Sequence, residues 1–390
     1  MNTPSSPHLL RHLKNKTSGL ILRPTVLTVD LKALIENLKY IKKKAEGREI
    51  IAIVKAGCYG LGAIPISKAI SQNKLARFFG IATLYEGEIL REKDIKEDIL
   101  VLGALTPSEM MRAVSFKITP SVYNLRSFFA LKETSEKLSK KISFHLKLDC
   151  GMGRLGFRKE ELPSFIKEMK KARLLEVEGV FSNLASADDL KSSQTGLQLR
   201  LFNEMIEILS KNGINPEFIH LANSAGTLFH PQTRCNLVRP GISMYGMLPS
   251  RQLDTGKLKQ VLRFETEIIQ LKEVPKGTPL GYGATYTTSK REKIGILPIG
   301  YADGLPRILS EKGGYVIIKG KKAPFVGRIS MDLCAVSLQG INAEEGDKVT
   351  LWGKENKIEI TPWHWAELSE TIPYEIISKI SHRVRRDYKN

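Results

Sequence analysis

Cysteine is scarce in this 390-residue chain, and its four cysteines, Cys58, Cys150, Cys235 and Cys334, do not cluster. With no C-x-x-C pair and no histidine at ligand spacing, neither a zinc site nor a disulfide framework organises the fold, and no metal is expected. No apolar run approaches the roughly 18 residues that a membrane helix needs. The first residues, MNTPSSPHLLRHLKNKTSG, are basic but lack an apolar core of about 7 to 15 residues and a small-residue cleavage site. They read as an extension over 1–22, and a cytoplasmic protein with reduced thiols is expected, without a membrane partner. No G-x-G-x-x-G follows the first strand, which weighs against a doubly wound dinucleotide fold. Acidic residues are in deficit, 41 against 60 basic, for a net charge of +19. That excess is spread: Lys42 to Lys44 border the polar face of a helix, Lys321 and Lys322 sit in a turn, and Arg383, Arg385 and Arg386 lie near the end. No nucleic-acid-binding signature accompanies them, so the charge bears on solubility and not on a nucleic-acid partner.

What is present alternates. After Asp30, an N-cap for a helix with the apolar stripe Leu31, Leu34, Ile35, Leu38 and Ile41, strand-like runs begin near Glu49, Arg77, Asp98, Ile118, Ile142, Leu174, Phe218 and Cys235. Helical or loop segments separate them. Thr106-Pro107-Ser108-Glu109 offers a capping box with proline at the first helical position, and Gln194 to Leu209 has core-facing apolar spacing. Eight such units predict an α/β fold, a (β/α)8 TIM-type barrel. From about Val261 the pattern turns to short Val-, Ile- and Thr-rich runs such as Phe264–Val274 and Lys348–Trp352, broken by Gly and Pro, and a helix is expected over Pro362–Ser369. The expected division is the extension, a barrel over 23–252 and a mostly β C-terminal domain over 253–390, with strand 25–30 available to pair with the latter.

The chain is organised around EIIAIVKAGCYGLG, Glu49 to Gly62. A β-branched run ends on Lys55, which sets an amine at the carboxyl end of a parallel strand, the edge where barrels bind ligands. A lysine there can form a Schiff base, and Tyr59 can reach a phosphate. Other polar residues at strand ends are Lys147 with Asp149, Asn183, Asn223 with Ser224, and Arg239 with Gly241 and Ile242. Ser224 and the amides of Gly241 and Ile242, after the seventh and eighth strands, suit a phosphate cup. A phosphate opposite a strand-one lysine suggests pyridoxal phosphate.

Taken in order, AIVKAGCYGLG, LKLDCGMGRLGF, HLANSAGT, NLVRPGISMYG, GYGATY, PIGYADG and VGRISMDLC resemble the bacterial alanine racemases, pyridoxal 5'-phosphate enzymes with a barrel and a C-terminal β domain. The resemblance spans about Arg23 to Tyr388. It implies that Lys55 carries the cofactor, that Tyr59, Ser224, Gly241 and Ile242 hold its phosphate, and that Arg239 faces its ring nitrogen. It implies that Arg154 stands near the substrate carboxylate, steadied by Lys147, which many members carry as a carbamate. Tyr282 resembles the second catalytic base, supplied by the partner of a homodimer with composite sites, and Tyr301 and Met331 enter across the same interface. The implied activity is interconversion of L- and D-alanine, which supplies D-alanine for peptidoglycan. Inversion at Cα needs a base on each face of the substrate, here Lys55 and Tyr282.

The chain departs from the family pattern at Gly57, Cys58, Leu61 and Ser330. His382 stands where some members place a phosphate-binding tyrosine, and Asn183 replaces a histidine that lies against the cofactor ring. Racemisation of serine or another small amino acid, cofactor binding without racemase activity, and a decarboxylase of the same fold type are the competing readings. The decarboxylase lacks its cysteine-centred motif here.

Overall fold

The computed structural model describes residues 23–390, so the extension over 1–22 lies outside the described residues. By internal contacts the chain forms two compact units, one comprising Leu27–Arg263 with Glu359–Asn390, the other Phe264–Ile358 with residues 23–26.

In the first unit, β1 (Val26–Asp30) leads into the helix Leu31–Lys44. The Asp30 carboxylate accepts from the Ala33 amide at 2.7 Å and caps that helix. The expected apolar stripe is buried, and Lys42, Lys43 and Lys44 fill the last turn, where positive charge suits the carbonyl end.

Eight parallel strands follow: β2 (Glu49–Ile53), β3 (Phe78–Ile81), β4 (Asp98–Val101), β5 (Ser121–Val122), β6 (Ile142–Lys147), β7 (Leu175–Phe181), β8 (Phe218–His220) and β9 (Leu237–Val238). They pair in the order β4-β3-β2-β9-β8-β7-β6-β5. The two ends of that row meet through a Leu100–Thr119 bridge, with the Val101 amide donating to the Thr119 carbonyl at 3.0 Å. The result is a nearly closed barrel. The run from Ile118 gives only a two-residue strand, because Pro120 brings no amide to the ladder.

Parallel strands covered on both faces must be apolar throughout, and Ile50, Ile51, Ala52, Phe78 and Phe79 have no exposed surface. The barrel interior also holds two histidines. His145 of β6 and His220 of β8 are fully buried. The His220 ring stacks on Phe181 with centroids 4.8 Å apart, and His145 stacks on Phe218. Gly179 makes the room, since a Cβ there would lie 2.4 Å from the His145 ring.

The second unit is built from β10 (Leu262–Glu267), β11 (Gln270–Val274), β12 (Pro279–Leu280), β13 (Tyr286–Thr287), β14 (Glu292–Leu297), β15 (Tyr315–Ile318), β16 (Lys321–Pro324), β17 (Cys334–Ser337) and β18 (Lys348–Glu355). They form antiparallel arrays β16-β15-β18-β10 and β11-β14-β17, plus the hairpin β12-β13. The stretch Phe264–Val274, expected as one strand, is two. Ile268 donates its amide to Asp347 beside β18, and Ile269 donates to Ile296 of β14, so the chain changes sheet between them. The expected late helix forms over Pro362–Leu368 and belongs to the barrel unit. Among the described residues no helix is long and apolar enough to cross a membrane.

Candidate active site

Lys55 emerges just past β2 at the carboxyl end of the barrel and opens an unusual turn. Ala56, Gly57, Cys58 and Tyr59 have φ of 50°, 61°, 56° and 58°, a left-handed turn closed by Cys58 N–H to Val54 C=O (2.8 Å) and Gly60 N–H to Ala56 C=O (2.7 Å). Three of the four residues carry side chains, and left-handed geometry costs about 1–2 kcal/mol for each. The conformation turns Lys55 and Tyr59 toward one cavity of about 300 Å³.

Lys55, Tyr59, Arg154, Asn183, Ser224, Arg239, Gly241 and Ile242 all line that cavity. The cup at its base is locally fixed. The Gly241 amide donates to Ser224 Oγ at 2.8 Å, and the Ser243 hydroxyl lies 3.1 Å from the same oxygen. A Cβ on Gly241 would come within 2.4 Å of the Tyr59 hydroxyl, so glycine lets that phenol approach the backbone. The Tyr59 ring is braced edge-on by Tyr245, 5.2 Å between centroids, whose own hydroxyl donates to the Ile53 carbonyl.

An adjoining recess of about 230 Å³ contains Lys147 together with Lys55, Arg154, Asn183 and Arg239. Lys147 Nζ donates to the Leu102 carbonyl at 3.0 Å and lies 5.2 Å above the Phe181 ring. Burial, and then Arg154, Arg239 and Lys55, push its pKa down to about 8. The Lys55 amine is likewise lowered, first by burial and then by Arg154, against an upward pull from Glu86. Arg154 is carried on a loop shaped by Asp149, whose Oδ1 accepts from the amides of Gly151, Met152 and Gly153.

Arg239 is 5% exposed and held on several sides. Its guanidinium donates to the carbonyls of Ser182 (2.6 Å) and Leu221 (2.9 Å), to Asn183 Oδ1 (3.3 Å) and to His220 Nδ1 (2.9 Å). Burial lowers its pKa to about 10, so it stays charged at neutral pH. Because arginine only donates, His220 Nδ1 must accept, which leaves its Nε2–H to donate to His145 Nδ1 at 2.9 Å. The second histidine then carries its proton on Nε2, 3.6 Å from Glu178. One cation thus fixes two tautomers in series.

Phosphate-like and carboxylate-like groups are what such a cavity attracts: an amine, two guanidiniums and a lysine surround it, with Asp188 at its rim. The N-terminal domain model of alanine racemases matches residues 29–249, and their C-terminal domain model matches residues 261–388. The chain belongs to the alanine racemase family. It is an amino-acid racemase by that membership. The alanine racemase of Carboxydothermus hydrogenoformans is 39% identical over 370 residues, 94% of this chain and 100% of that one. That of Methanococcus maripaludis is 36% identical, covering 95% of this chain and 100% of its own. The alanine racemase of Bacillus anthracis, solved with bound L-Ala-P, superposes with a TM-score of 0.90 at 36% identity, over 95% of this chain and 96% of that one.

The other positions that the resemblance implies fall elsewhere. Tyr282, Tyr301 and Met331 lie in the second compact unit with exposed side chains, Tyr282 at 72%. His382, weighed as a phosphate contact, is exposed and does not line the cavity, whereas Tyr374 does, 5.9 Å from the Tyr59 ring. Sequence reasoning missed Tyr374. It also missed the His145–His220 pair, since a lone histidine in a strand reads as core filling.

Proposed function

We propose that this racemase interconverts L- and D-alanine with pyridoxal 5'-phosphate held on Lys55. The observation that carries the reading is the single cavity lined by the Lys55 amine, the Ser224–Gly241–Ile242 cup and the Arg239 guanidinium. The donor set suits the group. Ser224 Oγ, the Tyr59 hydroxyl and the backbone around Gly241 converge where a Cβ would not fit, as a phosphate cradle requires. Bound there, the cofactor supplies an electron sink that acidifies the substrate Cα–H.

The chain's residues supply the rest. Lys55, lowered by burial, moves a proton on one face of the substrate, and Tyr282 of the partner subunit moves one on the other. Arg239, donor-only and anchored on His220, withholds a proton from the ring nitrogen's position and so restrains side reactions. Arg154 holds the substrate carboxylate as a charge-assisted pair. With a pKa of about 8, Lys147 is an uncharged amine in about a tenth of molecules at neutral pH, the form that carbon dioxide can convert to a carbamate. A carbamate would turn a repelling cation beside Arg154 into an anion that orients it. Assembly as a homodimer, a cytoplasmic location and supply of D-alanine to peptidoglycan complete the reading.

The test is an absorbance spectrum followed by a panel of L- and D-amino acids. Holoprotein should absorb near about 420 nm, Lys55→Ala should not, and alanine should be the preferred substrate. A borohydride-reducible adduct surviving in Lys55→Ala would refute the assignment of the lysine. A preference for serine would move the substrate and leave the cofactor in place.

A further inference from the structure

We propose that Glu86 is the positioning residue for Lys55: its carboxylate pins the backbone turn that begins at the lysine and sets negative charge against the lysine amine. The proposal rests on the reading of Lys55 as the cofactor-binding lysine.

Glu86 occupies the third position of the helix Leu84–Glu92, where a capping-box glutamate ordinarily returns to the cap residue. One oxygen does so, with Oε2 accepting from the amides of Ala82 (2.8 Å) and Thr83 (3.2 Å). The other leaves its own loop. Oε1 accepts from the Ala56 amide at 2.6 Å, the first peptide after Lys55. Since β2 and β3 are neighbours, with Ile53 opposite Gly80, one carboxylate ties together the loops that follow two adjacent barrel strands. Ala56 is also the first left-handed residue of the strained turn. The later amides of that turn find acceptors within it, Cys58 on Val54 and Gly60 on Ala56, while the Ala56 amide is held by Glu86. Strained backbone persists where its surroundings over-determine it, and this bond supplies part of that constraint.

The charge has a second effect. The Lys55 amine shares its recess with Arg154 on the loop after β6, Arg239 after β9 and Lys147 at the end of β6, the last a cation only while it is unmodified and protonated. Asp149 acts on Lys147, and the phenols of Tyr59 and Tyr374 line the same cavity. Glu86 opposes the cations at Lys55 and keeps the amine from losing its proton too readily.

The experiment follows covalent capture of added pyridoxal phosphate by the full-length chain, stripped of cofactor, in stopped flow across a pH series. In that step the unprotonated amine adds to the aldehyde carbon and one water leaves, so the rate midpoint reports the lysine. Glu86→Gln, which keeps the shape and one acceptor, should lower the midpoint by about one pH unit with a cofactor dissociation constant within about threefold of the parent. Glu86→Ala should lower the midpoint similarly and weaken cofactor binding by about tenfold or more, because the turn is released. Unchanged midpoints in both variants, with only a loss of thermal stability, would reduce Glu86 to a helix cap and overturn the proposal. Lys55→Ala is run alongside: capture that persists there overturns the reading of Lys55, and this proposal with it. Loss of capture in Lys55→Ala together with unmoved Glu86 midpoints overturns the proposal alone.

Discussion

Asn183 presents an amide where the family resemblance expects an imidazole against the cofactor ring. Its Oδ1 accepts from Arg239 at 3.3 Å and its Nδ2 donates to the Leu184 carbonyl at 3.2 Å, so the side chain is tied into the arginine's surroundings. Aromatic stacking contributes about 0.5–1.5 kcal/mol, and the long contact to Arg239 is backed by two closer carbonyls. Asn183→His should therefore release cofactor more slowly, with affinity gained by at most about tenfold, as measured by cofactor dissociation constants and turnover. Equal or weaker binding would mean that the Arg239 contact outweighs the lost ring. The two buried histidines make a pH prediction. Burial holds the pKa of His145 and His220 below the ordinary 6.5, so the unfolded chain binds more protons as pH falls past that value. Their contribution to stability is fully present above about 6.5 and is lost as pH drops toward the folded values, by at most about 2.7 kcal/mol per pH unit for the pair. Urea unfolding at about pH 7.5 and about pH 5.5 should show the decline, with a shallower one in His145→Gln. Identical stability at the two pH values would mean that the imidazoles are not held neutral.

Among the elements, the turn after β2 separates backbone strain from side-chain crowding. Nothing lies within 4 Å of a Cβ built on Gly57, yet its φ is +61°. Gly57→Ala should thus cost about 1–2 kcal/mol from conformation alone, read as a shift in unfolding midpoint. The converse change, Ala56→Gly at φ 50°, relieves a left-handed alanine but adds about 0.5–1 kcal/mol of chain entropy loss, and should be neutral to mildly stabilising. A harmless Gly57→Ala would show that this turn does not hold its left-handed form in solution. The elements that read well from sequence were those with local signals, such as the Asp30 cap and the Thr106–Glu109 box. The strand from Ile118 and the single run over Phe264–Val274 read poorly, because Pro120 and the change of sheet at Ile268 act through pairing that periodicity does not contain.

For the whole molecule, the proposed composite site decides what a single chain can do. Tyr282, Tyr301, Met331 and Leu333 are large side chains left 43% to 72% exposed in the second compact unit, the kind of surface that a second copy covers. If Lys55 and Tyr282 act from different subunits, inactive Lys55→Ala and inactive Tyr282→Phe should complement when mixed under exchange conditions. Random pairing makes half the dimers mixed with one intact site each, so about a quarter of the parent activity should return. Subunit exchange demonstrated by mass with no activity regained would exclude the shared site. The net charge of +19 is spread over the chain and bears on solubility.

The sequence by itself determined the eight-strand alternation, the lysine at the end of the first barrel strand, and the polar residues at later strand ends, because each is written in local periodicity and turn chemistry. It also carried the ordered motifs that align the chain with alanine racemases over both domains. Tertiary structure alone decided which of those ends meet. Parallel pairing sets β2 beside β9, distant in sequence, and the Leu100–Thr119 bridge closes the ring so that Lys55, Lys147 and Arg239 face one another. It decided that Glu86 reaches across to Ala56, that Tyr374 and not His382 lines the cavity, and that Arg239 orders two histidines. The left-handed turn was invisible for a related reason: alanine, cysteine and tyrosine have no preference for that conformation, and the acceptor of its first amide, the Glu86 carboxylate, stands 30 residues along the chain.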